Sequence, residues 1–148
     1  MDDRAFMKVA VDEAAQGLAE GGVPVGAALV ADDKVLGSGH NRRVQQGSVI
    51  RHGETDCLEN IGRLHASVYK RSTMYTTLSP CDMCTGAILL YGIPRVVIGE
   101  NRTFMGGEDS LRSRGVEVVN LDSPDCQSLM AEFIERYPDV WNEDIGEE

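Results

Sequence analysis

Between residues 4 and 20 the apolar side chains Phe6, Val9, Ala10, Ala14 and Leu18 recur at helical spacing, with Gly21-Gly22 as a stop, which predicts an amphipathic helix over 4–20. The period then changes. Val23 to Val30 and Val35 to Gly39 are strand-like runs on either side of Asp32-Asp33-Lys34, the signature of a hairpin. After a polar loop over 41–51 a helix is expected from about His52 to His65, and Met74 to Leu78, β-branched and aromatic, reads as a strand. Pro80 opens a helix that runs to Tyr91 and stops at Gly92. Arg95–Gly99 and Val116–Leu121 read as two buried strands, with a short helix around Asp109–Arg114 between them. Asp122-Ser123-Pro124 starts the last main helix, which runs to about Tyr137, and a short segment bearing Trp141 follows Pro138. A hairpin followed by alternating helices and strands predicts a three-layer α/β/α sandwich on a mixed sheet, with no strand order implied.

Length and composition narrow this picture. The 148 residues, 42% hydrophobic, fit one globular unit with one core. No window approaches 18 uncharged apolar residues, and Met-Asp-Asp-Arg does not open like a secretory signal, so the expectation is a cytoplasmic protein without a membrane span. The formal charge of −10 offers no cationic footprint for a polynucleotide. From Asp125 onward there are eight acids and one base, a stretch expected to be a solvated surface. The four cysteines, Cys57, Cys81, Cys84 and Cys126, in a chain read as cytoplasmic, point to metal or redox chemistry rather than to disulfides.

Two elements carry the chemistry: His52-Gly53-Glu54 and, 27 residues after Glu54, Pro80-Cys81-Asp82-Met83-Cys84. The order His-x-Glu and then Pro-Cys-x-x-Cys is the known signature of zinc-dependent deaminases. Cys81 and Cys84, three apart at the start of a helix, can turn both sulfurs to one point, where free N–H groups favour thiolates. His52 supplies a third ligand, and three protein ligands on a tetrahedral ion leave a corner for water. In mid-helix, side chains two residues apart diverge by about 200°. Glu54 therefore reaches the same water only if His52 lies at the helix start in non-helical geometry. Gly53 lets the backbone approach a substrate. The competing reading is a structural zinc site whose fourth ligand is Cys57, His65, His40 or Cys126.

The motif pair and most of the chain around it, residues 5 to 147, resemble the fungal-type cytosine deaminases of the cytidine deaminase-like superfamily. The resemblance is most specific at Glu20-Gly21-Gly22-Val23-Pro24, Gly39-His40-Asn41, Thr76 to Ala87, Tyr91 to Arg95, and Trp141-Asn142-Glu143-Asp144-Ile145-Gly146. It implies a five-stranded mixed sheet between helices and a homodimer with one Zn²⁺ per subunit. It further implies that Asn41 bonds the O2 and N1 edge of a free pyrimidine, that the Gly53 N–H bonds O2, and that Glu54 reaches N3. The Ser79 carbonyl and Asp144 would receive the exocyclic amino group, while Phe104, Trp141 and Ile145 close over the base. Residues 138–148 would then form a C-terminal lid on a single deaminase domain spanning 1–148. The chain departs from the family at Thr55-Asp56-Cys57 and Met105-Gly106-Gly107, both expected near the pocket wall.

The resulting expectation is hydrolysis of cytosine to uracil and ammonia, with Glu54 moving the protons. A deaminase of isocytosine or creatinine, a tRNA adenosine deaminase, a cytidine deaminase and a non-catalytic zinc module are the alternatives.

Overall fold

In the computed structural model, which describes residues 2–147, the strands are β1 (Gly26–Ala31), β2 (Lys34–His40), β3 (Ser72–Leu78), β4 (Arg95–Glu100) and β5 (Glu117–Asn120). They form one sheet of order β2-β1-β3-β4-β5, in which β1 runs antiparallel to β2 and β3, whereas β3, β4 and β5 are parallel. The helices are α1 (Asp3–Ala19), α2 (Arg43–Gln46), α3 (Gly53–Ile61), α4 (Ala66–Tyr69), α5 (Asp82–Tyr91), α6 (Glu108–Ser113), α7 (Pro124–Arg136) and α8 (Pro138–Asp144). Met1 and Glu148, the ends of the expected 1–148 unit and 138–148 segment, lie outside the described residues.

Alternation along the strands divides the core between two faces. Ala27, Leu29, Met74, Val96 and Ile98 pack with Cys57, Ile88 and Leu111 from α3, α5 and α6. Ala28, Val30, Tyr75 and Val97 pack with Met7 and Ala10 of α1. The central strands are thus covered on both sides and buried along nearly their whole length. The mixed three-layer sandwich expected from the sequence is the architecture found.

Several boundaries move, each for a local reason. The first strand starts at Gly26 rather than Val23, because Val23 and Val25 turn into a separate cluster with Leu78, Phe133 and Trp141. The helix expected over 52–65 ends at Ile61, where Gly62 takes φ 84°; exposed His65 instead precedes the short α4. The loop over 41–51 holds the one-turn α2. The helix expected from Pro80 begins at Asp82, with Cys81 as its extended N-cap. The strand at 116–121 is not buried: β5 is an edge strand bonded to β4 alone, and Glu117 and Asn120 are exposed. No helix among the described residues is long and apolar enough to cross a membrane.

An ion pair between Asp3 and Arg95 helps fasten α1 to the sheet. Arg95 donates from both terminal nitrogens to Asp3, at 2.8 and 2.7 Å, and the Tyr75 hydroxyl donates to Asp3 Oδ1 at 2.6 Å. The Arg95 hydrogen bonds outweigh partial burial and hold the Asp3 carboxyl down at about 2, against 3.8 ordinarily. A depressed carboxylate contributes its stability above the unfolded pKa and loses it as pH falls from about 4 towards 2. Asp3→Asn is therefore expected to lower stability by about 1 kcal/mol at neutral pH. Urea unfolding should show that difference shrinking below about pH 3, and a difference independent of pH would contradict the account.

Candidate active site

The N-termini of α3 and α5 meet at the carboxyl end of β3. His52 is the N-cap of α3, with φ −76° and ψ 174°, and Cys81 is the N-cap of α5, with φ −68° and ψ 177°. Both caps are extended, which resolves the phase problem of His-x-Glu: the chain enters the helix after His52, and Glu54 turns to the same side. The His52 N–H donates to Thr55 Oγ1 at 2.9 Å, and Thr55 Oγ1 in turn donates to the Ile50 carbonyl, so the first of the three departing residues serves as a cap.

His52, Cys81 and Cys84 bring one donor atom each within 4.8 Å of one another, and among the described residues theirs is the group placed to hold a metal. His52 Nδ1 lies 3.4 Å from Cys81 Sγ and 3.8 Å from Cys84 Sγ. Tetrahedral zinc, with bonds of about 2.3 Å to sulfur and about 2.0 Å to nitrogen, separates such donors by about 3.5 Å, so the donor set fits one zinc ion. None of the four candidate fourth ligands joins it. Cys57 Sγ donates to the Gly37 carbonyl at 3.5 Å, and burial pushes its thiol up to about 12. Cys126 is buried on α7, His65 is exposed beside α4, and His40 is buried between Glu13 at 2.6 Å and Glu20 at 2.8 Å.

Taken as protein alone, the cluster already favours thiolate. Its hydrogen bond with Cys84 pulls Cys81 down to about 4, against the burial that opposes it, and the same bond drives Cys84 well up, so the two sulfurs share one proton. Burial works against charge on His52, but Asp144 and Cys81 outweigh it and push the imidazole up to about 10. Burial, reinforced by the Cys81 charge, raises Glu54 to about 7, in the range where a carboxyl both takes and gives protons near neutral pH. A cation among the sulfurs pulls that value back down.

Beside these groups lies a cavity of about 340 Å³, including its mouth, lined by Asn41, His52, Glu54, Ser79, Cys81, Phe104, Trp141, Asp144 and Ile145. Val25 and Leu78, singled out in the sequence only as strand residues, complete the wall. The rings of Phe104 and Trp141 meet edge to face, with centroids 6.1 Å apart at 88°. Asn41 Oδ1 accepts from the Arg43 N–H at 3.0 Å, leaving its amide donors for the cavity. The Ser79 hydroxyl has its proton committed: it donates to Glu108 at 2.6 Å and accepts from the Gly106 N–H at 3.0 Å.

Gly53 lies between His52 and Glu54 at the start of α3, where a Cβ would meet the Val25 carbonyl oxygen at 2.9 Å, so the glycine lets α3 seat close against the chain that enters β1. Neither departing segment reaches the wall. Asp56 and Cys57 lie on the buried face of α3, and a Cβ on Gly106 would lie 1.9 Å from the Pro80 carbonyl oxygen, so that glycine lets the loop lie flat on Ser79-Pro80. Met105 and Gly106 border only the groove outside the mouth.

The acidic C-terminal stretch is not uniformly solvated as expected. Asp144 is only 6% exposed, its Oδ1 3.0 Å from His52 Nε2 and 2.9 Å from Arg43 Nε. Neither contact is aligned as a hydrogen bond, so a buried carboxylate oxygen is held by charge at the cavity wall. Arg43 also donates to Glu143 at 2.7 Å and to the Val49 carbonyl at 2.8 Å, tying α8 to the 41–51 loop. No local pattern marks Arg43, or the contact of Asp144 with His52; both pair residues about 90 or more positions apart.

Comparison with known proteins agrees with this geometry. Residues 1–100 match the cytidine and deoxycytidylate deaminase zinc-binding region. A cytosine deaminase of Candida albicans is 56% identical over 147 residues, covering 99% of this chain and 98% of the relative. A tRNA-specific adenosine deaminase of Streptococcus pyogenes is 33% identical over 139 residues, 86% of this chain and 87% of its own. Among solved structures, a mutant of NE0047 in complex with 8-azaguanine shares the fold with a TM-score of 0.78 at 21% identity, over 91% of this chain and 85% of its own. A metal-binding cluster of His52, Cys81 and Cys84, inside a match of this length, has one reading: the chain belongs to the zinc-dependent deaminases of the cytidine and deoxycytidylate deaminase family, alongside the fungal cytosine deaminases.

Proposed function

We propose that the protein hydrolyses free cytosine to uracil and ammonia, a pyrimidine salvage reaction. The observation that carries this reading is the cavity itself: Glu54, Asn41 and Asp144 face one small space that Phe104 and Trp141 close edge to face. Such a space suits a planar base without its sugar.

His52, Cys81 and Cys84 are the residues that would hold the zinc, which supplies Lewis acidity when bound and brings the pKa of a water down to about 7. Glu54 takes a proton from the attacking water and delivers it to N3 of the ring as the water oxygen adds to C4. It then carries the second proton from that oxygen to the amino group; the C4–N bond breaks, ammonia leaves and C4 becomes a carbonyl. The Asn41 amide bonds the O2 and N1 edge, assisted by the Gly53 N–H at the free helix start. The Ser79 carbonyl and Asp144 accept from the exocyclic amino group. Phe104, Trp141 and Ile145 exclude water, with residues 138–148 acting as a lid on one deaminase unit over 1–148.

Asp144 also braces the metal-binding imidazole from its far side. Asp144→Asn is expected to lower kcat/KM about 10- to 100-fold, with zinc retained. Unchanged kinetics in that variant would remove Asp144 from the reaction.

A second reading, deamination of adenosine in tRNA, is favoured by the Streptococcus pyogenes relative. The net charge of −10 opposes it, since a polynucleotide ligand calls for cations, and no polynucleotide partner is proposed. Exposed apolar Leu90 and Tyr91 on α5 and Val49 and Ile50 in the 41–51 loop support a homodimer, which sedimentation would test. Four free cysteines fit a reducing, cytoplasmic setting.

The deciding experiment is ammonia release by zinc-loaded protein against free bases, nucleosides, isocytosine, creatinine and a tRNA anticodon stem. Cytosine is expected to give the highest kcat/KM. A higher value on the stem or on cytidine would overturn the assignment.

A further inference from the structure

One buried carboxylate that takes no part in the chemistry gathers donors from three parts of the chain. Asp56 of α3, with no exposed surface, accepts from the His40 N–H at 3.0 Å, from Arg42 Nε at 2.9 Å, from Arg51 Nε at 2.7 Å and from Asn60 Nδ2 at 3.3 Å. The sequence positions of these donors matter. His40 and Arg42 flank Asn41, and Arg51 immediately precedes His52. The loop from Asn41 to Arg51 therefore leaves the sheet at the base-reading amide and returns at the metal-binding imidazole, and both of its ends are fastened to the same carboxylate.

We propose that Asp56 is a positioning residue: by clamping both ends of the 41–51 loop, it fixes the Asn41 side chain relative to the metal-binding end of α3. The proposal rests on the reading above in which Asn41 recognises the base.

The packing gives the clamp little room to yield. A Cβ on Gly39 would meet the Cys57 backbone nitrogen at 2.5 Å and Asp56 Oδ2 at 2.7 Å, so β2 lies directly against the carboxylate. The loop itself holds one turn of helix and joins its own ends through a backbone bond from the Arg42 N–H to the Arg51 carbonyl at 2.9 Å. A buried ion cluster is weak evidence for stability, because apolar replacements often serve as well. Its use is geometric: a charge with several directed donors admits one arrangement.

The two ends do not depend on Asp56 equally. His52 has restraints of its own, from the Thr55 cap and from Cys81 and Cys84. Asn41 is held on one side by its N–H to the Val25 carbonyl, but its other neighbour, Arg42, reaches α3 through Asp56. Loss of the carboxylate therefore shifts Asn41 more than His52, and substrate binding more than the chemical step.

The test is Asp56→Asn in the zinc-loaded, full-length protein, with Arg95→Met as a control for destabilisation far from the cavity. In Asp56→Asn, KM for cytosine is expected to rise about 10-fold or more, since small misplacements at a site can cost up to about 10²-fold. Its kcat should stay within a few-fold of wild type and its zinc content at one per chain, while Arg95→Met leaves KM unchanged. If Asp56→Asn does not fold, Arg42→Met, whose side chain is a quarter exposed, removes only the arm beside Asn41 and should raise KM several-fold. An unchanged KM in the variant that folds, or a loss confined to kcat or zinc content, overturns the proposal. If the wild type prefers another amino-heterocycle, KM is read on that substrate. A wild type that deaminates nothing overturns the functional reading, and this proposal with it.

Discussion

Glu54→Gln is expected to keep one zinc per chain and to lose at least about 10³-fold in kcat. The change is nearly isosteric, so the buried pocket beneath His52 stays filled. What disappears is a group that can both accept a proton from water and release it to N3. Burial and the Cys81 charge already bring Glu54 to about 7 in the protein alone, so its two protonation states lie close in energy before a ligand arrives. Because Glu54 touches the donor cluster without being needed to complete it, zinc content by mass spectrometry and turnover by ammonia release should separate cleanly. Near-normal turnover in the variant would leave Glu54 with no role in proton transfer.

Cys84→Ser is expected to act on the other half of the site. Cys84 is fully buried on the first turn of α5 and is one of three donors, so a hydroxyl there leaves two good ligands and a poor one. Stoichiometric zinc should be lost and turnover should fall to background. Zinc supplied in excess should stabilise the wild type against heating far more than the variant, because a ligand that binds only the folded state adds stability that grows with the logarithm of its affinity. Full zinc occupancy in Cys84→Ser would mean that a different set of side chains holds the metal.

The parts of this account that were legible in the sequence are those written locally. The two-residue spacing of His52 and Glu54 demanded a non-helical His52, and the N-cap at ψ 174° meets that demand. The Cys81 and Cys84 pair was legible for a similar reason, although Cys81 caps the helix rather than lying within it. The cavity wall from Asn41 to Ile145 was legible through resemblance, since no periodicity distinguishes Trp141 or Phe104 from ordinary core residues.

What stayed hidden lies between distant charges. By charge pattern Asp144 is one more acid of the tail, and the resemblance singles it out only for the exocyclic amino group; its burial against Arg43 and His52 is a pairing that only the fold creates. His40, weighed as a zinc ligand, is instead held between two glutamates seven residues apart on one face of α1 and at its C-cap. Asp56 appeared as a departure near the pocket wall, whereas it lies beneath the loop and collects two arginines. The burial expected at 116–121 failed because an apolar run does not reveal whether a strand has one neighbour or two.

X-ray absorption at the zinc edge of the purified, zinc-loaded protein is the most direct test of the site as a whole. Two sulfurs at about 2.3 Å, one imidazole and one light atom that exchanges with added ligand are expected. A third sulfur or a second imidazole at the ion would contradict a three-residue site with a corner left for water.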